Sequence, residues 1–288
     1  TAAIELLPGR RATVHLSTPP APAIDHEQLH VAIVDQRGEH VWQKTIPTMV
    51  VRQPPQWPAF GATRTRLRYD APISVRAADG KLSSMKYEGA WAQDLDDVVV
   101  SFPNGARFVF WRGASYAPFW AGRYNTGLCY EWAELTPPPG YAGFIDCVEP
   151  LMDKELRYGR VQILESTPAR VHVRWTYQSC DFLNKVWGES AQEDFYFYPD
   201  GFGTRVVTVN GVSGTNYELA EFILLSPAEA YPFDILPRKL IDVLFLDGQK
   251  REFSFPAASG ENRDRHPVPA VYRVRLNRRE TLAAVSFS

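Results

Sequence analysis

The chain has 288 residues, 45% hydrophobic and 22% charged, with a formal net charge of −2 at pH 7. That length buries a core without disulfide or metal staples. The charge lacks the basic excess of a general nucleic-acid binder, and no apolar run approaches the roughly 20 residues that cross a bilayer. Twenty-three prolines and 13% aromatic residues point to short strands joined by irregular loops, not to helices. Thr1-Ala2-Ala3-Ile4 carries no signal-peptide pattern, and Ala283 to Ser288 stops inside a strand-like run. Both ends read as those of one module of a longer chain.

Residues 1–60 are expected to form a small N-terminal β segment or accessory sandwich. Arg11 to Leu16 alternates polar and apolar residues. His30 to Asp35, the turn Gln36-Arg37-Gly38, and Glu39 to Lys44 read as a hairpin. Pro54-Pro55-Gln56-Trp57-Pro58 reads as an extended linker or an edge segment. Residues 61–288 are expected to be all-β, a large antiparallel two-sheet sandwich. It starts with strands at Thr65 to Tyr69 and Ile73 to Arg76, followed by an Asp79-Gly80 turn. Asp94-Leu95-Asp96-Asp97 is an acidic turn without the spacing of a calcium loop. A structural calcium ion therefore has no support, and no cofactor is assigned.

The stretch from Phe102 to Tyr158 organises the rest. Val98 to Phe102 and Arg107 to Trp111 flank Pro103-Asn104-Gly105, a strong hairpin signal because Asn and Gly tolerate positive φ. Trp111-Arg112-Gly113-Ala114-Ser115-Tyr116, Phe119-Trp120-Ala121-Gly122-Arg123-Tyr124-Asn125 and Tyr130-Glu131-Trp132-Ala133-Glu134 follow. Aromatic rings, guanidinium groups and carboxylates alternate there, with glycines between. A sugar polymer asks for this mixture, since its C–H faces lie on rings and its hydroxyls and carboxylates need polar partners. The same rings could equally fill the core of a large β-domain. Cys129 and Cys147 flank the Pro137-Pro138-Pro139-Gly140 break, so a disulfide is open, as are three thiols including Cys180. No C-x-x-C spacing suggests zinc.

Downstream strand signals are cleaner. Val161 to Glu165 precedes Arg170 to Tyr177, which alternates strictly. Val171, Val173, Trp175 and Tyr177 share one face; Arg170, His172, Arg174 and Thr176 share the other. The second face is either a solvated sheet surface or the floor of an anion-binding groove. Glu193 to Tyr198 and Thr204 to Val209 flank Pro199-Asp200-Gly201 as a hairpin. Ala220 to Pro227 is a strand or a short helix. Lys239 to Leu246 and Glu252 to Phe255 flank Asp247-Gly248, and a polar loop from Gly260 to Pro269 leads into a strand from Ala270 to Leu276.

Nucleotide loops and G-x-S-x-G are missing. No histidine lies between residues 102 and 158. Phe108 to Tyr116, Asn125 to Trp132, Val148 to Lys154 and Tyr198-Pro199-Asp200-Gly201 resemble a family of large bacterial proteins found among polysaccharide-degrading genes. Some of its members are similar to polysaccharide lyases that cut uronic-acid polymers of the ulvan type. The run from Arg170 to Val209 also resembles, in pattern only, the galactose-mutarotase-like β-supersandwich.

The lyase resemblance implies β-elimination beside a uronate carboxylate, which needs a neutralising cation, a base and an acid. Arg112 and Arg123 are the candidate neutralisers, or else surface ion-pair partners of Glu131 or Glu134. Tyr116, Tyr124 and His172 are the candidate bases or acids. Trp111, Trp120 and Trp132 are candidate stacking platforms, with Tyr130, Glu131 and Glu149 as further substrate contacts. A hydrolase would instead pair carboxylates among Glu131, Asp146 and Glu149. An epimerase would rely on His172, and a binding or scaffold module would need no catalytic group. The expected partner is an anionic polysaccharide or oligosaccharide, not nucleic acid or membrane. The expected location is secreted or periplasmic.

Overall fold

A computed structural model describes residues 26–49, 56–67, 72–76, 79–86, 95–122, 127–130, 132–136, 142–143, 147–211, 216–218, 222–225, 236–254, 269–276 and 281–286. The chain divides into two units, Thr1–Gln56 and Trp57–Ser288. In the first, β1 (His26–Val34) and β2 (His40–Met49) pair antiparallel. Asp35 closes their turn by accepting the Arg37 and Glu39 N–H groups at 2.8 and 3.0 Å. Gly38 supplies the positive φ of 84° that the turn requires. The expected strand at Arg11 to Leu16 and the prolines at 54 and 55 lie outside the described residues.

The second unit is all-β, and no α-helix occurs among its described residues. It opens with β3 (Gly61–Thr65), the ribbon β4 (Pro72–Arg76) and β5 (Leu82–Lys86), and β6 (Asp97–Ser101). The chain continues through β7 (Arg107–Phe110), β8 (Pro118–Ala121), β9 (Gly127–Tyr130) and β10 (Glu134–Thr136). Next come β11 (Arg160–Ser166), β12 (Val171–Tyr177), β13 (Ser190–Phe197) and β14 (Gly203–Asn210). The last are β15 (Asn216–Glu218), β16 (Phe222–Leu225), β17 (Lys239–Phe245), β18 (Lys250–Ser254), β19 (Ala270–Arg275) and β20 (Thr281–Ser286).

Six strands form one sheet in the order β16-β9-β8-β7-β6-β3, and β11 to β14 form a four-stranded meander. Their facing sides make the main core. Val98, Val100, Phe102 and Phe110 come from the first sheet; Val171, Val173, Trp175, Phe195 and Phe197 come from the second. Rings interlock across the gap, Phe110 against Phe195 at 5.2 Å and Phe108 against Phe197 at 4.8 Å. β6 is buried along its whole length, which explains its unbroken Val-Val-Val run. A third sheet, ordered β18-β17-β19-β20, packs Val274 and Leu276 against Leu128 and Trp120.

The hairpins read from turn chemistry form at β6–β7, β13–β14 and β17–β18, and the Phe222–Leu225 segment is a strand. Of the strand expected at Thr65 to Tyr69, Arg66 and Leu67 lie outside β3, which ends at Thr65, and Arg68 and Tyr69 lie outside the described residues. The Leu67 N–H leaves the ladder and donates to the Asp97 carboxylate at 2.7 Å. Cys129, Cys147 and Cys180 are all thiols.

One charged pair sits inside the sandwich. Glu193 is fully buried and accepts from Arg205 Nε at 2.7 Å, Arg205 Nη2 at 2.8 Å and the Tyr177 hydroxyl at 2.8 Å. The Tyr177 oxygen in turn accepts the Ala133 N–H at 2.7 Å, tying the β9–β10 link to the core. Removing one partner of a buried pair strands the other charge, a loss of about 3 kcal/mol or more. Arg205→Ala should therefore lower urea-denaturation stability by about 3 kcal/mol, whereas a change under roughly 1 kcal/mol would show that solvent reaches Glu193.

Candidate functional site

The central excursion turns mostly into scaffold. After β7 a 3-10 turn, Arg112–Ala114, reverses the chain, and Ser115 and Tyr116 follow in the left-handed region at φ 54° and 66°. Gly113 lets the Trp111 ring close over this turn. A Cβ there would lie 2.6 Å from the ring. Asp97, at the start of β6, is the carboxylate that holds Arg112. Its Oδ1 accepts the Arg112 backbone N–H at 2.6 Å and Nε at 3.2 Å, and Arg112 Nη2 donates to the Leu67 carbonyl at 3.3 Å. Asp97 is completely buried, and burial outweighs the Arg112 contacts and raises its pKa.

Tyr116 is 2% exposed and donates its hydroxyl to the Asp96 carbonyl at 2.9 Å. Burial, reinforced by the neighbouring Asp97 charge, pushes the phenol up to about 12. A phenol so placed keeps its proton at neutral pH. Trp132 is core, and Trp120 packs on Phe102 at 4.9 Å. Trp111 is half-buried. Glu149 is half-buried in a backbone bridge with Cys180. Arg112, Tyr116 and Trp132 thus each have a place in the scaffold, Arg112 on Asp97, Tyr116 on Asp96 and Trp132 in the core. Arg123, Tyr124, Glu131, Asp146 and the Tyr130 side chain lie outside the described residues.

The motif from Val148 to Lys154 also has a structural role. Asp153, 1% exposed, accepts the backbone N–H groups of Arg157, Tyr158 and Gly159 at 2.7, 2.8 and 2.9 Å. Ser115 Oγ donates to the Asp153 carbonyl at 3.0 Å, joining this turn to the 3-10 turn.

His172 belongs to a different constellation, on the outer face of the β11–β14 sheet. Register places His172 opposite Tyr196, Arg174 opposite Asp194 and Thr176 opposite Gln192. Asp194 gathers the group. Its Oδ1 meets His172 Nε2 at 2.6 Å and Arg174 Nε at 2.9 Å; its Oδ2 meets Gln192 Nε2 at 2.8 Å and Arg174 Nη2 at 3.3 Å. The His172 ring stacks on Tyr196 with centroids 4.2 Å apart and planes 24° apart. Asp194 as acceptor assigns the Nε2–H tautomer, which leaves the Nδ1 lone pair available as a base.

Arg170 extends the strip. It donates to Glu165 Oε2 at 2.9 and 2.6 Å, and its guanidinium lies 5.8 Å over the Tyr196 ring. The β13–β14 turn ends the strip with exposed Tyr198 and Phe202. Both guanidinium groups are countered by carboxylates, and rings lie between them.

Burial alone would raise Asp194, but the hydrogen bonds from Arg174, His172 and Gln192 together hold its carboxyl below the ordinary range. For Glu165, the hydrogen bond from Arg170 does the same. Asp194, Gln192 and Tyr196 escape sequence reasoning because the 178–189 connection between β12 and β13 is irregular and hides their register. Alternation alone puts all three on one face.

Among the described residues, no three His, Cys, Asp or Glu side chains could hold a metal ion, and no helix is long and apolar enough to cross a membrane. Comparison with known proteins finds no matching family model, no similar curated protein and no similar solved structure.

A depressed carboxylate contributes stability above its unfolded pKa, and that contribution is lost as pH falls through the folded value. Asp194→Asn should therefore be less stable than the parent chain at pH 7, with the gap closing below about pH 4, the unfolded aspartate value. Thermal melts across this range check it. Arg112→Ala should cost about 3 kcal/mol in denaturant melts.

Proposed function

We propose that this chain binds a uronic-acid-containing polysaccharide along the outer face of β11–β14 and cleaves it by β-elimination, with His172 as the base. The observation that carries the proposal is the 2.6 Å contact between His172 Nε2 and Asp194 beneath a ring stacked on Tyr196. Asp194 fixes the ring's tautomer and orientation, which is what a positioned general base requires. His172 Nδ1 takes the C5 proton, the electron pair forms the C4–C5 double bond, and the C4–O4 bond breaks. The departing oxygen takes a proton from the imidazolium, which restores the neutral ring.

Arg174 engages Asp194 through Nε and Nη2, and in this reading its remaining nitrogen, Nη1, is the donor for the uronate carboxylate. Tyr196, Tyr198 and Phe202 supply faces for the C–H sides of sugar rings. Such a polymer is met outside the cytoplasm, so the chain is expected to act as a secreted or periplasmic protein.

A second reading, a binding module without turnover, is favoured by one observation. Arg170 and Arg174 are each already paired with a carboxylate. A hydrolase on this face is disfavoured because the arginines hold both carboxyls ionised, whereas a general acid needs a raised pKa.

Polygalacturonate incubated with the protein should develop the ultraviolet absorbance of unsaturated uronates. His172→Ala should lower that rate by about 100-fold or more, with only the modest drop in melting temperature expected from losing one of the partners of Asp194. Calorimetric binding with no absorbance change would establish the module. Neither binding nor absorbance with any uronate polymer would end the proposal.

A further inference from the structure

Charge is unevenly spread along the chain. Residues 236–288 hold ten Lys and Arg against six Asp and Glu, while residues 1–235 hold twenty-one against twenty-seven. Strands β17 to β19 carry five of these cations, Lys239, Lys250, Arg251, Arg273 and Arg275, against two carboxylates, Asp242 and Glu252. The inner face of their sheet carries Val243, Phe245 and Ala270 into a small core. Alternation therefore sends Asp242 and Leu244 to the other face. There Asp242 lies between Glu252 of β18 and Arg273 of β19, and Leu244 lies between Lys250 and Val271. A shallow depression of about 380 Å³ opens here, lined by Asp242, Leu244, Lys250, Arg251, Glu252, Arg273 and Arg275.

The cations are fixed in place. One oxygen of Asp242, Oδ2, accepts from Arg273 Nε at 2.7 Å, from Arg273 Nη2, and from Arg275 Nη2 at 2.6 Å. Arg275 Nη1 is anchored on the Lys239 carbonyl at 3.1 Å. A single carboxylate thus orients two guanidinium groups and neutralises only one. Arg273 remains half exposed. Glu252 pairs with Lys239 at 2.9 Å, and among the described residues no carboxylate pairs with Lys250.

We infer that this face is a second, electrostatic docking site for an anionic carbohydrate chain, separate from the His172 face. Oriented guanidinium groups suit carboxylate or sulfate. The interspersed carboxylates suit hydroxyl donors, and half-buried Leu244 offers an apolar floor for a sugar C–H face. A nucleic acid would want an uninterrupted basic stripe that neutralises several phosphates, and here two carboxylates interrupt it. The choice of carbohydrate rests on the reading in the preceding subsection. Exposed ionic contacts are individually weak, so the site fits a polymer with repeating charges better than a single small anion.

The test is affinity electrophoresis of the whole chain through gels containing polygalacturonate, dextran sulfate or neutral dextran. The two anionic polymers should retard it, less so as salt rises, and neutral dextran should not. Lys250→Glu should weaken that retardation at least tenfold with an unchanged melting temperature. Arg273→Gln, which leaves Asp242 its Arg275 partner, is the second variant. His172→Ala should keep the retardation while losing cleavage, so the two sites fail separately. Equal retardation of the parent chain and both variants would overturn the inference. So would equal retardation by neutral dextran, tighter binding to a DNA duplex than to either polymer, or loss of all binding in His172→Ala alone.

Discussion

Two consecutive carboxylates on β13 are sent to opposite sides of the sheet, and the rest of the arrangement follows from that pleat. Glu193 points into the sandwich, where Arg205 and Tyr177 hold it. Asp194 points out, where His172, Arg174 and Gln192 hold it. A slip of one residue would exchange the two and leave the wrong donors on each side. The same register brings Phe195 and Phe197 against Phe108 and Phe110. Packing and the outer polar group are therefore specified together.

The long excursion after β7 serves this frame in a different way. Between its short strands it has irregular backbone that must be satisfied without a ladder. Two buried carboxylates do that. Asp97 takes amides from Leu67 and Arg112, and Asp153 takes three from Arg157 to Gly159. The density of charged and aromatic residues there thus reflects the demands of a buried loop as much as those of a ligand.

The all-β class and the hairpins were legible because asparagine–glycine and aspartate–glycine turns and strict alternation are local signals. The outward face of Arg170 to Thr176 was legible for the same reason. Less visible was which residues oppose it, since twelve residues of irregular chain separate β12 from β13. The surroundings of Arg112 and Tyr116 were hidden for a physical reason: a guanidinium or a phenol in an aromatic, glycine-punctuated run has the same sequence signature whether it faces a ligand or the protein's own interior. Only distance and burial separate the two cases, as the contacts of Arg112 with Asp97 and of Tyr116 with Asp96 make plain.

The account turns on carbohydrate lying against the imidazole on the outer sheet. The most direct measurement follows the His172 ring carbon-bound protons by NMR, assigned by their loss in His172→Gln, while a uronate oligosaccharide is titrated into the protein. The account predicts a saturable shift of the His172 resonances together with those of Tyr196. A saturable shift confined to other residues, with His172 and Tyr196 unmoved, would contradict it.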